Sequence, residues 1–198
     1  MFVQSPAFNT AIVSVVNAVL LKPLPFPDPD RIVYFMNVGT QGSNPAASPA
    51  KFQHYLEQAR VAGDISAFNQ GVVSYTDGSF PEQLRSGRVS ADFFRLFGAQ
   101  TLFGRTFTGE EDRPGGDRVA VLGRGFWETR FSGDPEILGQ AISIGGAPYT
   151  VIGVLGDFDF DDFGGQSPQI WLPSVTRVGH RTHPRHAFRA TDRANAVC

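Results

Sequence analysis

The chain has 198 residues, 41% of them hydrophobic and 18% charged, with a formal net charge of −2. This balance leaves no basic field to attract nucleic acid, and a single cysteine, Cys198, excludes an internal disulfide framework and a cysteine-based zinc site. The 22 glycines and 14 prolines indicate many turns and short elements, and the 18 phenylalanines indicate a core rich in phenyl rings. The composition therefore favours a β-rich or α+β architecture over a helical bundle.

A nearly apolar stretch lies close to the start of the chain. Residues 8–21 contain few polar side chains, and they are followed by Lys22 and by the proline-studded segment 23–29, which cannot continue a helix. A bilayer-spanning helix needs roughly 20 residues. Residues 8–21 are therefore either a buried core helix or the last part of a transmembrane helix. Residues 1–9 lack the basic region and the cleavage site of a signal peptide, so we expect no complete export signal.

A strand, a loop and a helix are predicted next. Residues 31–38 are β-branched and aromatic, which is typical of a strand, and 39–47 are predicted to be a loop. Ser48 followed by Pro49 is a strong helix start, so we expect a helix over 48–60. Its apolar face consists of Phe52, Tyr55, Leu56 and Ala59.

A hairpin and a phenylalanine-rich helix follow. Strands are predicted over 65–75 and 83–89, joined by a turn at Asp77-Gly78. Residues 90–97 are predicted to be a short helix that is capped by Ser90 and ended by Gly98. Its phenylalanines, which we expect to point inward, are Phe93, Phe94 and Phe97.

The remaining elements are short and closely spaced. We predict an extended connector over 100–107, an exposed acidic loop over 108–116, a buried strand over 117–122, a helix over 125–131, a capped helical turn over 134–139, a hairpin of strands 140–144 and 149–154 around Gly145-Gly146, and a strand over 169–173. This order of elements is typical of an α+β domain.

Acidic residues form the densest group of candidate ligands. The group consists of Asp157, Asp159, Asp161 and Asp162. Alternating aspartates could offer oxygen ligands to Ca²⁺, but the spacing lacks the glycine and the final glutamate of an EF-hand loop. We therefore interpret the group as a solvated loop, and we interpret Glu110, Glu111 and Asp112 in the same way.

Three of the four histidines, His180, His183 and His186, lie in the last part of the chain. Pro184 interrupts any helix that could align them, and residues 176–198 contain few core-forming side chains, so we predict a disordered tail with nonspecific metal affinity. The fourth, His54, is expected to be packed or exposed within the helix over 48–60.

Catalytic signatures are missing from the sequence. It has no nucleophile elbow, P-loop, His-Glu-x-x-His or dinucleotide-binding fingerprint. Ser74, Ser79 and Ser86 have no plausible base nearby in sequence, and Gly115-Gly116 is too short for a phosphate-binding loop. We therefore predict no catalytic, cofactor-binding or metal-binding residues.

Residues 9–31 closely resemble the exit of the first transmembrane helix in MacB/FtsX-like ABC transporter permeases. Later pieces resemble the same family in the same order: Ser48-Pro49, Arg88–Phe94, Gly104–Phe107 with Glu110–Asp112, Val121-Leu122 with Trp127, Gly133–Gly139 and Pro148–Val154. Together these pieces extend over residues 9–173, which makes the resemblance specific as a set.

The resemblance implies an α+β periplasmic core domain with mixed or antiparallel sheets, short helices and two small subdomains, one porter-like and one inserted. It assigns residues 1–24 to the end of the first transmembrane helix and 25–175 to the core domain, which is incomplete at its C-terminal side; the tail is 176–198. The domain of such permeases does no chemistry, but contacts partners and couples motion during efflux. The implied partners are an ABC ATPase subunit or domain, contacted through the missing membrane part, a second permease copy and the membrane. The main domain is expected on the periplasmic side of the bacterial inner membrane.

Such permeases also have a longer N-terminus, the rest of the porter subdomain and three more transmembrane helices. We therefore expect a truncated family member that does not transport on its own. One alternative is a self-standing soluble module that binds a protein or a ligand, with residues 8–21 as a packed helix. Another is a hydrolase that uses the acidic loops.

Overall fold

The computed structural model describes the central part of the chain almost continuously and the two ends in short segments. The described residues are 32–34, 37–39, 42–44, 48, 51–52, 54, 64–77, 80–160, 166–174, 187–191 and 195–197. The predicted transmembrane segment in 1–24 lies outside them, as does most of the helix predicted over 48–60. None of the helices in the described part has the length and apolar character that a membrane crossing requires.

Strands dominate the described residues. In chain order they are β1 (Val33–Tyr34), β2 (Asn37–Gly39), β3 (Gly42–Asn44), β4 (Asp64–Tyr75), β5 (Glu82–Val89), β6 (Thr101–Gly104), β7 (Val119–Leu122), β8 (Ala141–Ile144), β9 (Ala147–Leu155), β10 (Ile170–Pro173), β11 (Ala187–Thr191) and β12 (Asn195–Val197). The helices are α1 (Phe93–Leu96) and α2 (Arg124–Phe131), and a 3₁₀ turn follows at Pro135–Ile137. Because parallel and antiparallel pairs occur in the same sheet, the predicted α+β class with mixed sheets is confirmed.

Six of these strands close into a ring. The sheet contains the order β4–β5–β10–β7–β9, and β8 pairs with both β9 and β4. β10 is parallel to β5 and antiparallel to β7, and β7 is parallel to β9. The last ring strand in the chain, β10, therefore lies between two strands that precede it in sequence.

Alternate residues of the ring strands fill two different hydrophobic clusters, because successive side chains of a strand point to opposite faces. In β7, Val119 and Val121 belong to the first cluster, and Ala120 and Leu122 belong to the second. All six ring strands contribute to the second cluster, as expected of the interior of a small barrel. The first cluster packs on the opposite face of the sheet.

Helix α1 covers the first cluster with phenyl rings. Phe93, Phe94 and Phe97 are all buried, which confirms the prediction that they point inward. The ring centre of Phe93 lies 5.4 Å from that of Trp171 in β10 and 4.9 Å from that of Phe160. Aromatic pairs at these distances stabilise a core beyond the effect of their buried area.

The predicted cap of α1 is wrong. The side-chain oxygen of Ser90 accepts a hydrogen bond from the backbone N–H of Ala67 and lies 2.7 Å from the hydroxyl oxygen of Ser66. Ser90 therefore fastens the end of β5 to β4, and α1 begins only at Phe93, without a side-chain cap. Gly98, with φ of 66°, follows the helix as predicted.

Helix α2 brings Phe126 and Trp127 into the second cluster. The indole N–H of Trp127 donates to the backbone oxygen of Asp134 at 2.8 Å, and the carboxylate of Asp134 accepts from the backbone N–H of Glu136 at 2.9 Å. The predicted helix over 125–131 and the capped turn that follows it are confirmed.

Further predicted elements are confirmed by their pairing. β4 pairs with β5 and β8 pairs with β9 as antiparallel hairpins. The buried strands β7 and β10 also lie where the sequence predicts them. The hydroxyl of Ser48 accepts a hydrogen bond from the backbone N–H of Lys51 at 3.3 Å, as a helix cap does.

Two segments for which no strand pairing was predicted contain paired strands. The predicted loop over 39–47 contains β3, which pairs with β2. The predicted connector over 100–107 contains β6, which pairs with β9. Both strands are too short to produce a recognisable alternation of polar and apolar residues.

The segment predicted as a disordered tail, 176–198, contains two described strands. β11 pairs with β4 at Ser66–Phe68, and β12 pairs with β11 and β1. β11 adds to the edge of β4 through backbone hydrogen bonds, which do not depend on the side chains of the added strand. A segment poor in core-forming residues can therefore still pair there. The boundaries at residues 24 and 175 remain predictions.

Candidate functional site

An open cleft of about 810 Å³ lies beside the start of α2. Its walls come from β5, α2, the segment after β9 and the segment before β10. Its charged and amide side chains are Arg85, Arg124, Glu128, Asp157, Asp159 and Gln169. The cleft therefore brings together groups that lie far apart in the sequence.

Arg124, the first residue of α2, links two walls of the cleft. Its guanidinium donates to a carboxylate oxygen of Glu128 at 2.8 Å, one helical turn away, and to one of Asp157 at 2.8 Å. The hydrogen bond to Glu128, and then the charge of Asp157, raise the pKa of Arg124. All three side chains are exposed to solvent, so these pairs depend on salt and stabilise the fold little.

Arg85 lies where β5 approaches the start of β10. Its side-chain Nε donates to the backbone oxygen of Ser167 at 3.2 Å, and its backbone N–H donates to the side-chain oxygen of Gln169 at 3.1 Å. The backbone N–H of Gln169 donates in return to the backbone oxygen of Arg85 at 2.8 Å. This wall of the cleft is therefore held by backbone pairing.

The cleft offers exposed guanidinium and carboxylate groups, which suit salt-dependent contacts with a polar partner. Among the described residues, no group of three or more histidine, cysteine, aspartate or glutamate side chains is arranged to hold a metal ion. The cleft thus presents charge of both signs beside a stable sheet.

The interpretation of Glu111 as part of a solvated loop is wrong. Glu111 is only 7% exposed, and its carboxylate receives two hydrogen bonds from the guanidinium of Arg105, at 2.6 and 2.9 Å. The backbone N–H and the hydroxyl of Thr108 donate to the same carboxylate at 2.7 and 3.1 Å. The hydrogen bond from Arg105 lowers the pKa of Glu111 most, although burial opposes this effect.

Asp112 is likewise engaged by the fold. One of its carboxylate oxygens accepts a hydrogen bond from the backbone N–H of Ala91, just before α1, at 3.1 Å. Glu111 and Asp112 therefore fasten the loop over 108–116 to neighbouring segments, whereas Glu110 is exposed.

Of the other acidic and histidine candidates, only Asp157, Asp159 and His54 lie among the described residues. Asp157 and Asp159 are exposed, and Asp161 and Asp162 lie outside the described residues. His180, His183 and His186 also lie outside them, and His54 is exposed.

The described serine and glycine candidates take part in the packing and hydrogen bonding of the fold. Ser74 accepts a hydrogen bond from the side-chain amide of Gln83, Ser86 is buried, and Ser79 lies outside the described residues. A Cβ atom at Gly116 would lie 2.6 Å from the backbone oxygen of Glu110, so this glycine permits a close turn.

Sequence reasoning missed Arg85, Arg124 and Gln169. The spacing of four residues between Arg124 and Glu128 at the start of a predicted helix was an available signal for an ion pair. The pairing of Arg85 with Gln169 carried no such signal, because it joins a position in β5 to one just before β10, 84 residues later.

Comparison with known proteins places this arrangement in a family. The family model described as MacB-like periplasmic core domain matches residues 5–196. The macrolide export ATP-binding/permease protein MacB of Chromobacterium violaceum is 31% identical over 143 residues, which cover 65% of this chain and 21% of that protein. The probable syringafactin export ATP-binding/permease protein SyfD of Pseudomonas syringae is 29% identical over 140 residues, which cover 64% of this chain and 20% of that protein. The chain thus spans about a fifth of the length of these curated relatives.

Solved structures share the fold. The periplasmic region of MacB from Actinobacillus actinomycetemcomitans superposes with a TM-score of 0.62 at 16% identity, covering 82% of this chain and 74% of that one. The extracellular domain of the ABC-type transporter YknZ from Gram-positive bacteria gives a TM-score of 0.61 at 16% identity, covering 81% and 83%. At such identities the likeness establishes the fold alone. Taken with the family match over residues 5–196, it leads to one conclusion: the chain belongs to the family of MacB-like periplasmic core domains of ABC transporter permeases.

Proposed function

We propose that this chain acts as a non-catalytic extracytoplasmic domain that couples ATPase-driven motion of a permease to substrate efflux or to contact with a partner. The observation that carries the proposal is the family match over residues 5–196. The names of the curated relatives, which are ATP-binding/permease proteins for export, support an ABC ATPase as the source of the motion. We propose no transported substrate, because the match spans only about a fifth of the length of the curated relative.

The proposal includes a membrane location. Residues 1–24 are the end of a first transmembrane helix, residues 25–175 are the core domain, and this domain faces the periplasm from the bacterial inner membrane. A second permease copy is the proposed partner within the membrane. The apolar run at residues 8–21 and the prolines that follow it support this layout.

Membrane fractionation of the whole chain, expressed in bacteria, tests the location. We expect the chain in the membrane fraction, resistant to a high-salt wash, and we expect the matched control that begins at residue 25 in the soluble fraction. Complete recovery of the whole chain as a detergent-free soluble monomer would contradict the anchor and favour a soluble binding module. Detergent-solubilised chain that co-purifies with a co-expressed ABC ATPase would support the coupling role.

The non-catalytic part of the proposal has its own test. Glu111 and Asp112 serve structural contacts, and Asp157 is paired with Arg124, which argues against a hydrolase built on the acidic loops. We expect no turnover in a broad hydrolase screen. Turnover that disappears on Asp159→Asn, with Asp117→Asn as the exposed control, would overturn the non-catalytic assignment.

A further inference from the structure

The ring of six strands has one junction unlike the others, between β4 and β8. β4 pairs with β5 without interruption from Phe68 to Tyr75, and β8 pairs with β9 along its whole length. β4 and β8 pair only at Tyr75 and Ile144. The closure of the ring therefore depends on a single residue pair and on the contacts immediately beside it.

Those contacts are polar and centre on Ser143 of β8. The backbone N–H of Thr76 donates to the backbone oxygen of Ser143 at 3.0 Å, and the two hydroxyl oxygens of Thr76 and Ser143 lie 2.6 Å apart. The backbone N–H of Ser143 donates to the carboxylate of Asp77. On the other side of the pair, the backbone N–H of Gly145 donates to the backbone oxygen of Ser74 at 2.7 Å.

The residue opposite Ser143 in β9 is one that does not need the backbone groups of Ser143, which bond toward the β4–β5 hairpin instead. Ser143 pairs with Pro148, which has no N–H to donate. Because Ser143 turns both of its backbone groups toward the β4–β5 hairpin, Pro148 leaves no partner unsatisfied. At Ser143, β8 can therefore bond to the β4–β5 hairpin without leaving a backbone group of β9 unpaired.

The polar contacts at the junction are only partly shielded from water. Asp77 is exposed, and Thr76 and Ser143 are half-buried, so water can replace their hydrogen bonds when the junction opens. Tyr75 resists opening, because it is 3% exposed and packs edge-to-face on Phe126 of α2 at 5.9 Å. The tip beyond the junction carries Phe80, which is 84% exposed and makes no contribution to the buried core.

From these observations we propose that the ring opens locally between β4 and β8, with Thr76, Asp77 and Ser143 as its latch. Opening separates the end of β4 from β8 and exposes Tyr75 and Ile144, while β5 stays paired with β10. The segment Tyr75–Asp77 is then a movable element of an otherwise closed sheet. This inference concerns the domain itself and does not depend on the proposed role in transport.

Hydrogen exchange of backbone amides in the whole chain tests the proposal. We expect the amides of Thr76, Ser143 and Gly145 to exchange roughly 100-fold faster than the amide of Ser90, which bonds to Ala67 at the other end of the same hairpin. Low concentrations of urea should accelerate the hydrogen exchange of the Ser90 amide but not that of the three amides at the junction. Equal rates with equal urea dependence at both ends would overturn the proposal.

Two kinds of variant separate local opening from general loss of stability. Asp77→Ala removes one latch bond and should raise the exchange rate of Gly145 about fivefold, since a net hydrogen bond of about 1 kcal/mol corresponds to that factor. Asp134→Ala removes the same type of carboxylate–amide bond elsewhere and should leave Gly145 unchanged. An equal effect of both variants on Gly145 would contradict a local latch.

A reversible lock completes the test. In a Cys198→Ser background, Thr76→Cys with Ser143→Cys places two thiols at positions whose hydroxyl oxygens are 2.6 Å apart, and mass spectrometry confirms that the disulfide forms. Oxidation should slow the exchange of Gly145 to the rate of Ser90, and reduction of the same protein should restore it. Unchanged exchange after complete oxidation would overturn the proposal.

Discussion

Arg105 and Glu111 form the most completely bonded ion pair among the described residues. Glu111 is buried and accepts four hydrogen bonds from Arg105 and Thr108, while the side chain of Arg105 is 52% exposed. Solvent screening at Arg105 limits the strength of the pair. The burial of Glu111 nevertheless makes its bonds costly to lose, because a buried polar group without partners is destabilising.

We expect Glu111→Gln to lower the free energy of unfolding by about 1–2 kcal/mol. The amide keeps the shape of the side chain but cannot accept both guanidinium hydrogen bonds. Urea denaturation measures the change, and Glu110→Gln at the exposed neighbouring position is the matched control. Equal unfolding midpoints for the two variants would contradict a stabilising role of Glu111.

The same carboxylate predicts a dependence of stability on pH. The pKa of Glu111 is lowered in the folded protein from its ordinary value of 4.5, chiefly by the hydrogen bond from Arg105. The stabilisation is therefore complete above pH 4.5 and is lost as the pH falls through the lower folded-state pKa. Urea denaturation at a series of pH values should show the wild type losing its advantage over Glu111→Gln only in that acidic range. An advantage that stays constant as the pH is lowered below 4.5 would be inconsistent with this assignment.

At the scale of elements, the contact between β5 and β10 depends on a glycine. A Cβ atom added to Gly87 would lie 2.5 Å from the ring of Trp171, so the indole can cover β5 only because the position has no side chain. Trp171 is in turn a centre of the first hydrophobic cluster, where it contacts Phe93 and Phe94. The packing of α1 on the sheet therefore depends on the absence of a side chain at Gly87.

Gly87→Ala should destabilise the protein by about 1–3 kcal/mol, because the added methyl group displaces a large ring from a filled core. Gly71→Ala is the control in the adjacent strand, since its Cβ atom would come no closer than 3.8 Å to Ser86. Thermal unfolding and the emission maximum of tryptophan fluorescence measure the two effects. Similar behaviour of the two variants would indicate that Trp171 can move aside at little cost.

Much of the element pattern could be predicted from local sequence. Asp77-Gly78, Gly145-Gly146 and Asp134-Pro135 mark turns by their backbone preferences, which act within a few residues. The cap at Ser90 was mispredicted because the hydroxyl bonds instead to β4, 23 residues earlier in the chain. Glu111 was mispredicted because only the approach of Arg105 and Thr108 shows that the loop is partly buried.

At the scale of the whole molecule, the class of fold followed from composition and element order, but the ring did not. Its closure depends on which strands become neighbours, and β5 meets β10 across 84 residues of sequence. The pattern of apolar residues in β5 does not indicate that β10 is its neighbour, and the pattern in β10 does not indicate β5. The same limit applies to the cleft, whose walls come from β5, from α2, from the segment after β9 and from the segment before β10.

The chain shortened to residues 1–165 should lack a cooperative unfolding transition. It loses β10, whose residues Ile170, Trp171 and Leu172 are at most 1% exposed between β5 and β7. The control, residues 1–174, keeps β10 and should unfold cooperatively, although it loses β11 and β12. Urea denaturation followed by circular dichroism compares the two. A cooperative transition of the shorter chain would show that β5 and β7 do not need the strand between them.

The central position of β10 also sets an order of events during synthesis. A growing chain can form the hairpins β4–β5 and β8–β9 early, since their strands are close in sequence, but neither cluster is complete before residue 173 has emerged. Until then, Phe93 and Leu84 have no β10 against which to pack, and loop closure over a long segment is slow. Such a domain acquires its core only after residue 173 has emerged, and it leaves apolar surface for chaperones to protect in the meantime.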